Sequence, residues 1–172
     1  MKPPKRRIAV ERSSNNDKRT LRTPAPSEHQ REALADRASY AGSGKHKLEP
    51  RAFHLEPAPP DADDSFCDGH AGFAPEDMAR VGDLLERGIR AGLIGHRDVQ
   101  GDPTILWSVD DNGWIYEMRI TVPTQAIYHG YPLLVGDAFA KKVISRYTQY
   151  VYAHPQLALG PSLENARELY AS

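Results

Sequence analysis

The 172-residue sequence has little of three features that often decide a protein's compartment. Its single cysteine, Cys67, excludes an intrachain disulfide and is typical of a reducing compartment. No apolar run approaches the roughly 18 residues that a membrane-spanning helix needs. The basic N-terminus is not followed by the apolar segment of a secretory signal. These absences predict a protein that acts in the cytoplasm and has no membrane partner.

Charge is divided unevenly along the chain, although the formal net charge is only −1. Residues 1–22 hold eight Lys and Arg and two acidic residues, which gives +6. Residues 41–172 hold twelve basic and eighteen acidic residues, which gives −6. A basic arm on an acidic body is suited to contacts with nucleic acid through the arm, or to folding back on the body itself.

Residues 1–39 are also poor in large apolar side chains and rich in Ser, Asn and Pro. This composition predicts a disordered basic arm, with at most one short helix over residues 27–37 that Ser27 caps. Order is expected to begin near Tyr40. Residues 40–172 are long enough for one domain with an ordinary core, and no internal repeat divides them.

Three β-rich segments joined by two turns occupy residues 104–134. Asn112-Gly113 between the first two favours a two-residue type I′ turn, which needs positive φ at both central residues. That turn places Val109 opposite Tyr116 and collects the apolar side chains of both strands on one face. The other face is then polar. A slip of one residue would mix the two sets, so the register looks well specified.

Helical patterns flank these strands. Apolar residues at helical spacing predict one helix over residues 75–93, a second over residues 136–152, and a short final helix capped by Ser162. The predicted fold class is α+β: an antiparallel meander of three or four strands packed against helices that cover one face. The second face would be open, or partly covered by residues 41–72.

Two segments carry side chains that are suited to phosphoryl chemistry. Histidines can act as general base and acid near neutral pH, and Lys or Arg can stabilise charge on a phosphoryl oxygen. The predicted catalytic residues are His46, His129 and Glu117, the last as a substitute base. The predicted substrate-binding residues are Lys45, Lys47, Arg119, Tyr128 and Tyr131. The alternative is that His129 packs beside Trp107 and that His46 is simply exposed.

A metal site is a weaker hypothesis. Cys67-Asp68-Gly69-His70 has the spacing of half a zinc site, and His54 or His46 could supply a third ligand. No matching second half is present, so a buried structural Cys67 is the preferred interpretation. We therefore predict no metal and no cofactor.

The order of these features resembles the barnase, colicin and RelE-type nuclease toxins of bacteria. The resemblance covers residues 41–134 and consists of a helix and a meander of strands, preceded by Lys-His-Lys in a small-residue loop. It implies RNA as the substrate and a cognate immunity protein or antitoxin as partner; the residues themselves leave open another anionic ligand. The candidate catalytic set that it implies is Lys45, His46, Glu117, Arg119 and His129.

The leading hypothesis is therefore a small toxin-like ribonuclease, a hydrolase that cleaves RNA phosphodiesters without a metal. The alternative belongs to another class: a non-catalytic binding module, such as an antitoxin, inhibitor or regulatory subunit, that binds a basic protein partner with its acidic body. The distance between the imidazoles of His46 and His129 decides whether the two residues form one site.

Overall fold

A four-stranded sheet organises the chain in the computed structural model, which describes residues 18–59 and 65–171. Its strands in spatial order are β1 (Ser39–Tyr40), β6 (Ile127–Pro132), β5 (Ile115–Val122) and β4 (Ile105–Val109). The last three form an antiparallel meander, whereas β1 lies parallel to β6. A separate ladder pairs β2 (Asp98–Val99) with β3 (Asp102–Pro103). The predicted α+β class is confirmed, and β1 is the fourth strand.

Helices precede and follow the antiparallel meander along the chain. The α-helices of the described residues are α1 (Glu28–Arg37), α2 (Cys67–Ala71), α3 (Val81–Arg90), α4 (Ala140–Ala153) and α5 (Gly160–Leu169). The predicted helix over residues 75–93 is a 3₁₀ turn, Pro75–Arg80, that continues into α3. Within residues 18–59 and 65–171, no helix has both the length and the apolar character needed to cross a membrane.

Helices cover both faces of the sheet, so the prediction of an open polar face is wrong. The predicted alternative, partial cover by residues 41–72, agrees with the contact between α2 and β6. On one side α1 and α3 pack on a cluster that includes Leu106 and Met118. On the other side α4 and α5 pack on Trp107 and its neighbours. Alternate residues of a strand point to opposite faces, and every residue of β4 is buried. Both faces therefore belong to the core.

The β4–β5 hairpin is present, but its predicted register is wrong by one residue. Val109 pairs with Ile115, and Trp107 pairs with Glu117. Within the turn only Gly113 has a positive φ, of 87°, so the turn is not type I′. A carboxylate oxygen of Asp110 accepts the backbone N–H of Trp114 at 2.8 Å, which closes a loop longer by one residue.

The folded part begins earlier than the predicted boundary near Tyr40. The predicted helix is confirmed as α1, and the Ser27 hydroxyl accepts the backbone N–H of Gln30 as a cap. Leu34 of this helix is buried in the core, and Arg19 is only 1% exposed. Burial of these side chains orders residues 18–39. The rest of the predicted arm, residues 1–17, lies outside the described residues.

The turn at Gly113 gives a first prediction. A Cβ there would lie 2.3 Å from the backbone nitrogen of Ala166 in α5, whereas a Cβ at Gly101, with the same φ of 87°, would meet nothing within 4 Å. Gly101→Ala should cost about 1–2 kcal/mol of unfolding free energy through its backbone alone. Gly113→Ala should cost a further ~1–3 kcal/mol because α5 must shift.

Urea unfolding of the two variants beside the wild type measures this difference directly. Because the φ values match, the extra loss in Gly113→Ala isolates the contact with α5. Equal losses in both variants would show that α5 does not pack against this turn in solution.

Candidate functional site

His46 and His129 lie against each other at the edge of the sheet, as the sequence predicts. Their ring centroids are 5.6 Å apart and their planes differ by 10°. The ring of His46 also contacts Tyr131, with centroids 4.7 Å apart. His129 and Tyr131 are alternate residues of β6 and therefore share a face. The structure thus brings three predicted residues together.

The loop that carries His46 depends on a glycine. His46 ends the 3₁₀ turn Gly44–His46, and Gly44 is buried. A Cβ at Gly44 would lie 1.9 Å from the carbonyl oxygen of Glu56. Only glycine lets the loop approach this backbone, and the approach sets His46 over the strand. His46 is 5% exposed as a result.

The surroundings of His129 favour its neutral form. Burial, together with the positive charges of Arg119 and Lys45, lowers the pKa of His129 below its ordinary value of 6.5. Arg119 is its cross-strand neighbour on β5. The hydroxyl of Thr121 lies 2.7 Å from the Nδ1 atom of His129 and fixes the orientation of the ring. A neutral imidazole near pH 7 can accept a proton.

Glu117 lies beneath this pair and is completely buried. Its Oε1 atom accepts hydrogen bonds from the Tyr131 hydroxyl at 2.6 Å and from the guanidinium of Arg119 at 2.8 Å. Its Oε2 atom accepts from Arg19 at 2.7 Å and from Trp107 at 3.1 Å. Because Glu117 is completely buried and both of its oxygens already accept hydrogen bonds from protein groups, the predicted role of a substitute base in contact with substrate is wrong. Glu117 positions Arg119 and Tyr131 instead.

The charge of Glu117 is maintained by its neighbours. Burial raises the pKa of this carboxyl, but the charges of Arg19 and Arg119 and the hydrogen bond from Tyr131 outweigh burial and leave the pKa below its ordinary value. The Glu117 carboxylate is therefore ionised, and it holds Arg119 beside His129.

Arg19 is a functional neighbour that sequence reasoning missed. It donates to Glu117 and, through both terminal nitrogens, to Asp137 at 3.2 and 2.8 Å. Its guanidinium also lies 5.0 Å from the ring centroid of Phe139. Arg19 stands in a basic segment without periodicity, and its partners are 98 and 118 positions away. No local signal distinguishes it from the other arginines of that segment.

Two predicted substrate-binding residues lie elsewhere. Tyr128 is on the opposite face from His129, fully buried, and its hydroxyl donates to the carbonyl of Pro103 at 2.8 Å. Lys47 is also buried, and its ammonium lies 5.1 and 5.4 Å from the ring centroids of Phe53 and Phe73. Neither side chain can contact a ligand of the histidine pair, so both assignments are wrong.

The proposed zinc ligands do not converge. The Nδ1 atom of His70 accepts the backbone N–H of Phe66 at 2.9 Å, and the Cys67 thiol donates to the carbonyl of Gly130 at 3.5 Å. His54 is exposed. Within the two described ranges, no group of three or more His, Cys, Asp and Glu side chains could hold a metal ion.

The solvent side of the site is basic and titratable. His129 and Lys45 are partly exposed, and the Arg119 side chain is 37% exposed. An imidazole and two cations therefore reach the surface at one place, with the second imidazole directly behind them. Such a surface can take a proton from a bound hydroxyl and can stabilise a phosphoryl oxygen.

Comparison of the chain with known proteins found no matching family model, no matching curated protein and no matching solved structure. The function is therefore inferred from the arrangement of the side chains themselves.

Proposed function

We propose that the protein is a toxin-like endoribonuclease that needs no metal, with His129 as general base and His46 as general acid. The observation that carries this proposal is the parallel pair of imidazoles at 5.6 Å, with Arg119 and Lys45 beside it. Two titratable rings at this separation can serve the two oxygens of one phosphodiester.

In the first step His129 takes the proton of the ribose 2′-hydroxyl. If Nδ1 of His129 donates its hydrogen to the Thr121 hydroxyl, Nε2 carries a free lone pair. The 2′-oxygen then attacks the adjacent phosphorus and forms a 2′,3′-cyclic phosphate. The bond to the 5′-oxygen breaks, and His46 supplies the proton that this oxygen takes.

Arg119 and Lys45 stabilise the negative charge that gathers on the non-bridging phosphoryl oxygens. Two hydrogen bonds fix the guanidinium of Arg119 in place. Glu117 accepts one of them, and the Tyr131 hydroxyl accepts the other from Nε at 2.7 Å. A donor fixed before the substrate arrives stabilises developing charge without reorganising. Arg19 contributes indirectly by holding Glu117.

The test is cleavage of an RNA oligonucleotide in the presence of EDTA. The mechanism predicts fragments that end in a 2′,3′-cyclic phosphate and begin with a 5′-hydroxyl. An all-DNA oligonucleotide of the same sequence should stay intact because it lacks the attacking hydroxyl. Intact RNA, or fragments with 5′-phosphates, would contradict the proposal.

The pKa of His129 gives a pH prediction. A base must be unprotonated, so kcat/KM should rise with pH through the pKa of His129, which lies below 6.5. Lys45→Met removes one of the charges that lower this pKa. The acidic limb of the profile should therefore move to higher pH in that variant. This shift is separate from any change in the maximal rate.

The measurement is kcat/KM of the wild type and of Lys45→Met from about pH 4 to pH 8, roughly the range over which imidazoles titrate. NMR titration of the His129 ring reports the same pKa without substrate. A limb that stays in place, or moves to lower pH, would contradict the assignment of His129 as the base.

A further inference from the structure

The first described residues of the chain lie beside the proposed catalytic site. Arg19 is 1% exposed and donates to Oε2 of Glu117 at 2.7 Å. Oε1 of the same carboxylate accepts from Arg119, the cross-strand neighbour of His129. One buried carboxylate therefore connects the start of the described chain to the cationic side of the site.

Backbone contacts hold this part of the chain in place. The backbone N–H of Arg22 donates to the carbonyl of Ile94 at 2.8 Å, and Leu21 forms an antiparallel bridge with Gly95. Together with the buried Arg19, these contacts make residues 19–22 an anchor. The anchor fixes the point from which the preceding residues extend, and this point is next to the site.

The residues that precede the anchor are basic. Residues 1–17 lie outside the described residues, and their sequence holds five Lys and Arg and two acidic residues, which gives +3. Three of the basic residues are consecutive, Lys5-Arg6-Arg7, and ten residues separate them from Lys18. A chain of that length spans at most roughly 35–40 Å. It can therefore reach phosphates several nucleotides away from the site.

The sequence leaves two partners open for these residues, RNA or the acidic body of the protein. The surface next to the anchor is not acidic, because Lys45, Arg119 and His129 form its solvent side. Like charges repel, so a basic chain beside this surface needs an anion between them. The phosphates of an RNA strand supply that anion, since they can pair with the site and with residues 1–17 at once.

We propose that residues 1–17 bind the RNA strand that flanks the scissile phosphate, with Arg6 and Arg7 on its phosphates. This binding region extends the proposed ribonuclease site and therefore depends on the proposed function. Binding that is equal in the ground state and the transition state lowers KM and leaves kcat unchanged. A dinucleotide does not extend beyond the site, so it gains nothing from residues 1–17.

Cleavage by the double variant Arg6→Gln, Arg7→Gln tests the proposal on a long single-stranded RNA and on a dinucleotide. Loss of two phosphate contacts should raise KM for the long RNA roughly tenfold at moderate salt. The kcat for the long RNA, and kcat/KM for the dinucleotide, should equal those of the wild type.

Binding of a 2′-O-methyl RNA, which cannot be cleaved, gives a second readout by fluorescence anisotropy. For a single strand each phosphate contact contributes about 0.7 to the slope of log affinity against log salt concentration, so the variant should lose about 1.4. This readout separates the proposal from the ribonuclease itself, whose failure would leave both cleavable substrates intact with the wild type.

The double variant Arg80→Gln, Arg90→Gln is the matched control and removes the same charge. Both side chains reach solvent, and they belong to α3 and the turn before it, which pack on the other face of the sheet. The control should keep the KM and the salt slope of the wild type. Equal effects in the two double variants, or unchanged or tighter binding in Arg6→Gln, Arg7→Gln, would overturn the proposal.

Cross-linking locates the contact without any variant. A 2′-O-methyl RNA that carries thiouridine several nucleotides to either side of its centre is irradiated in complex with the wild type. Mass spectrometry should find the cross-linked nucleotide on peptides from residues 1–17. Cross-links confined to residues 18–172 would overturn the proposal.

Discussion

Replacing His129 with alanine should reduce RNA cleavage by about 10²–10⁴-fold, the usual contribution of a general base. The free energy of unfolding should change by about 1 kcal/mol or less, because the ring is partly exposed and the change removes only a ring contact and one hydrogen bond. Single-turnover cleavage and urea unfolding of the same preparation measure both quantities. A variant that folds normally and keeps full activity would contradict the assignment.

His46 needs a sharper test because its buried ring also packs on two neighbours. His46→Phe keeps an aromatic ring against His129 and Tyr131 but cannot donate a proton. Cleavage should fall as far as in His46→Ala. Activity that survives in His46→Phe would show that the ring only packs.

The two histidines can also be told apart by the leaving group. An RNA whose scissile 5′-oxygen is replaced by sulfur releases a thiolate that needs no proton. This substrate should restore cleavage by His46→Ala and leave His129→Ala inactive. Equal restoration in both variants would contradict the separate roles of acid and base.

Replacing Glu117 with alanine should lower the free energy of unfolding by about 3–5 kcal/mol. The change leaves Arg19, which is 1% exposed, without half of its carboxylate partners. It also leaves the Trp107 indole N–H without an acceptor. Urea unfolding measures the loss.

Glu164→Ala is the matched control, since Glu164 pairs with Arg167 on the surface of α5, where solvent screens the pair, and its loss should be far smaller. A loss in Glu117→Ala as small as in this control would show that the buried pair is not formed.

The dependence of stability on pH provides a further check on Glu117. Its folded pKa lies below its ordinary value of 4.5, so the stability that it contributes is full above pH 4.5 and is lost as pH falls through the folded pKa. The acid destabilisation of Glu117→Ala should therefore be shallower than that of the wild type in this range. An unchanged slope would contradict the lowered pKa.

Much of the fold follows from local patterns. The turn at Asn112-Gly113, the cap at Ser27 and the stripe of Val81, Leu85 and Ile89 each depend on neighbours in the chain. The register does not. A glycine with positive φ suits both a two-residue and a three-residue turn. The three-residue turn is stabilised by the hydrogen bond to Asp110 and by the packing of Gly113 against α5.

The site was also predictable only where local patterns in the chain determine it. Tyr128 and His129 are adjacent in a strand and must point to opposite faces, so alternation alone could have excluded Tyr128. Arg19 could not have been found in this way, because its contact with Glu117 spans 98 positions. Long-range ion pairs leave no period in the sequence.

The non-catalytic binding module stays an alternative prediction. It would be supported if an inactive wild type co-purified with one basic protein in a fixed ratio. Toxicity of the wild type on expression, relieved by His129→Ala, would instead support the ribonuclease.

Cleavage of a DNA oligonucleotide that contains a single ribonucleotide, in EDTA, tests the central claim most directly. The wild type should cut only after the ribonucleotide and leave a 2′,3′-cyclic phosphate, and the double variant His46→Ala, His129→Ala should leave the strand intact. An uncut strand with the wild type, or equal cutting by the double variant, would contradict a histidine pair that cleaves RNA.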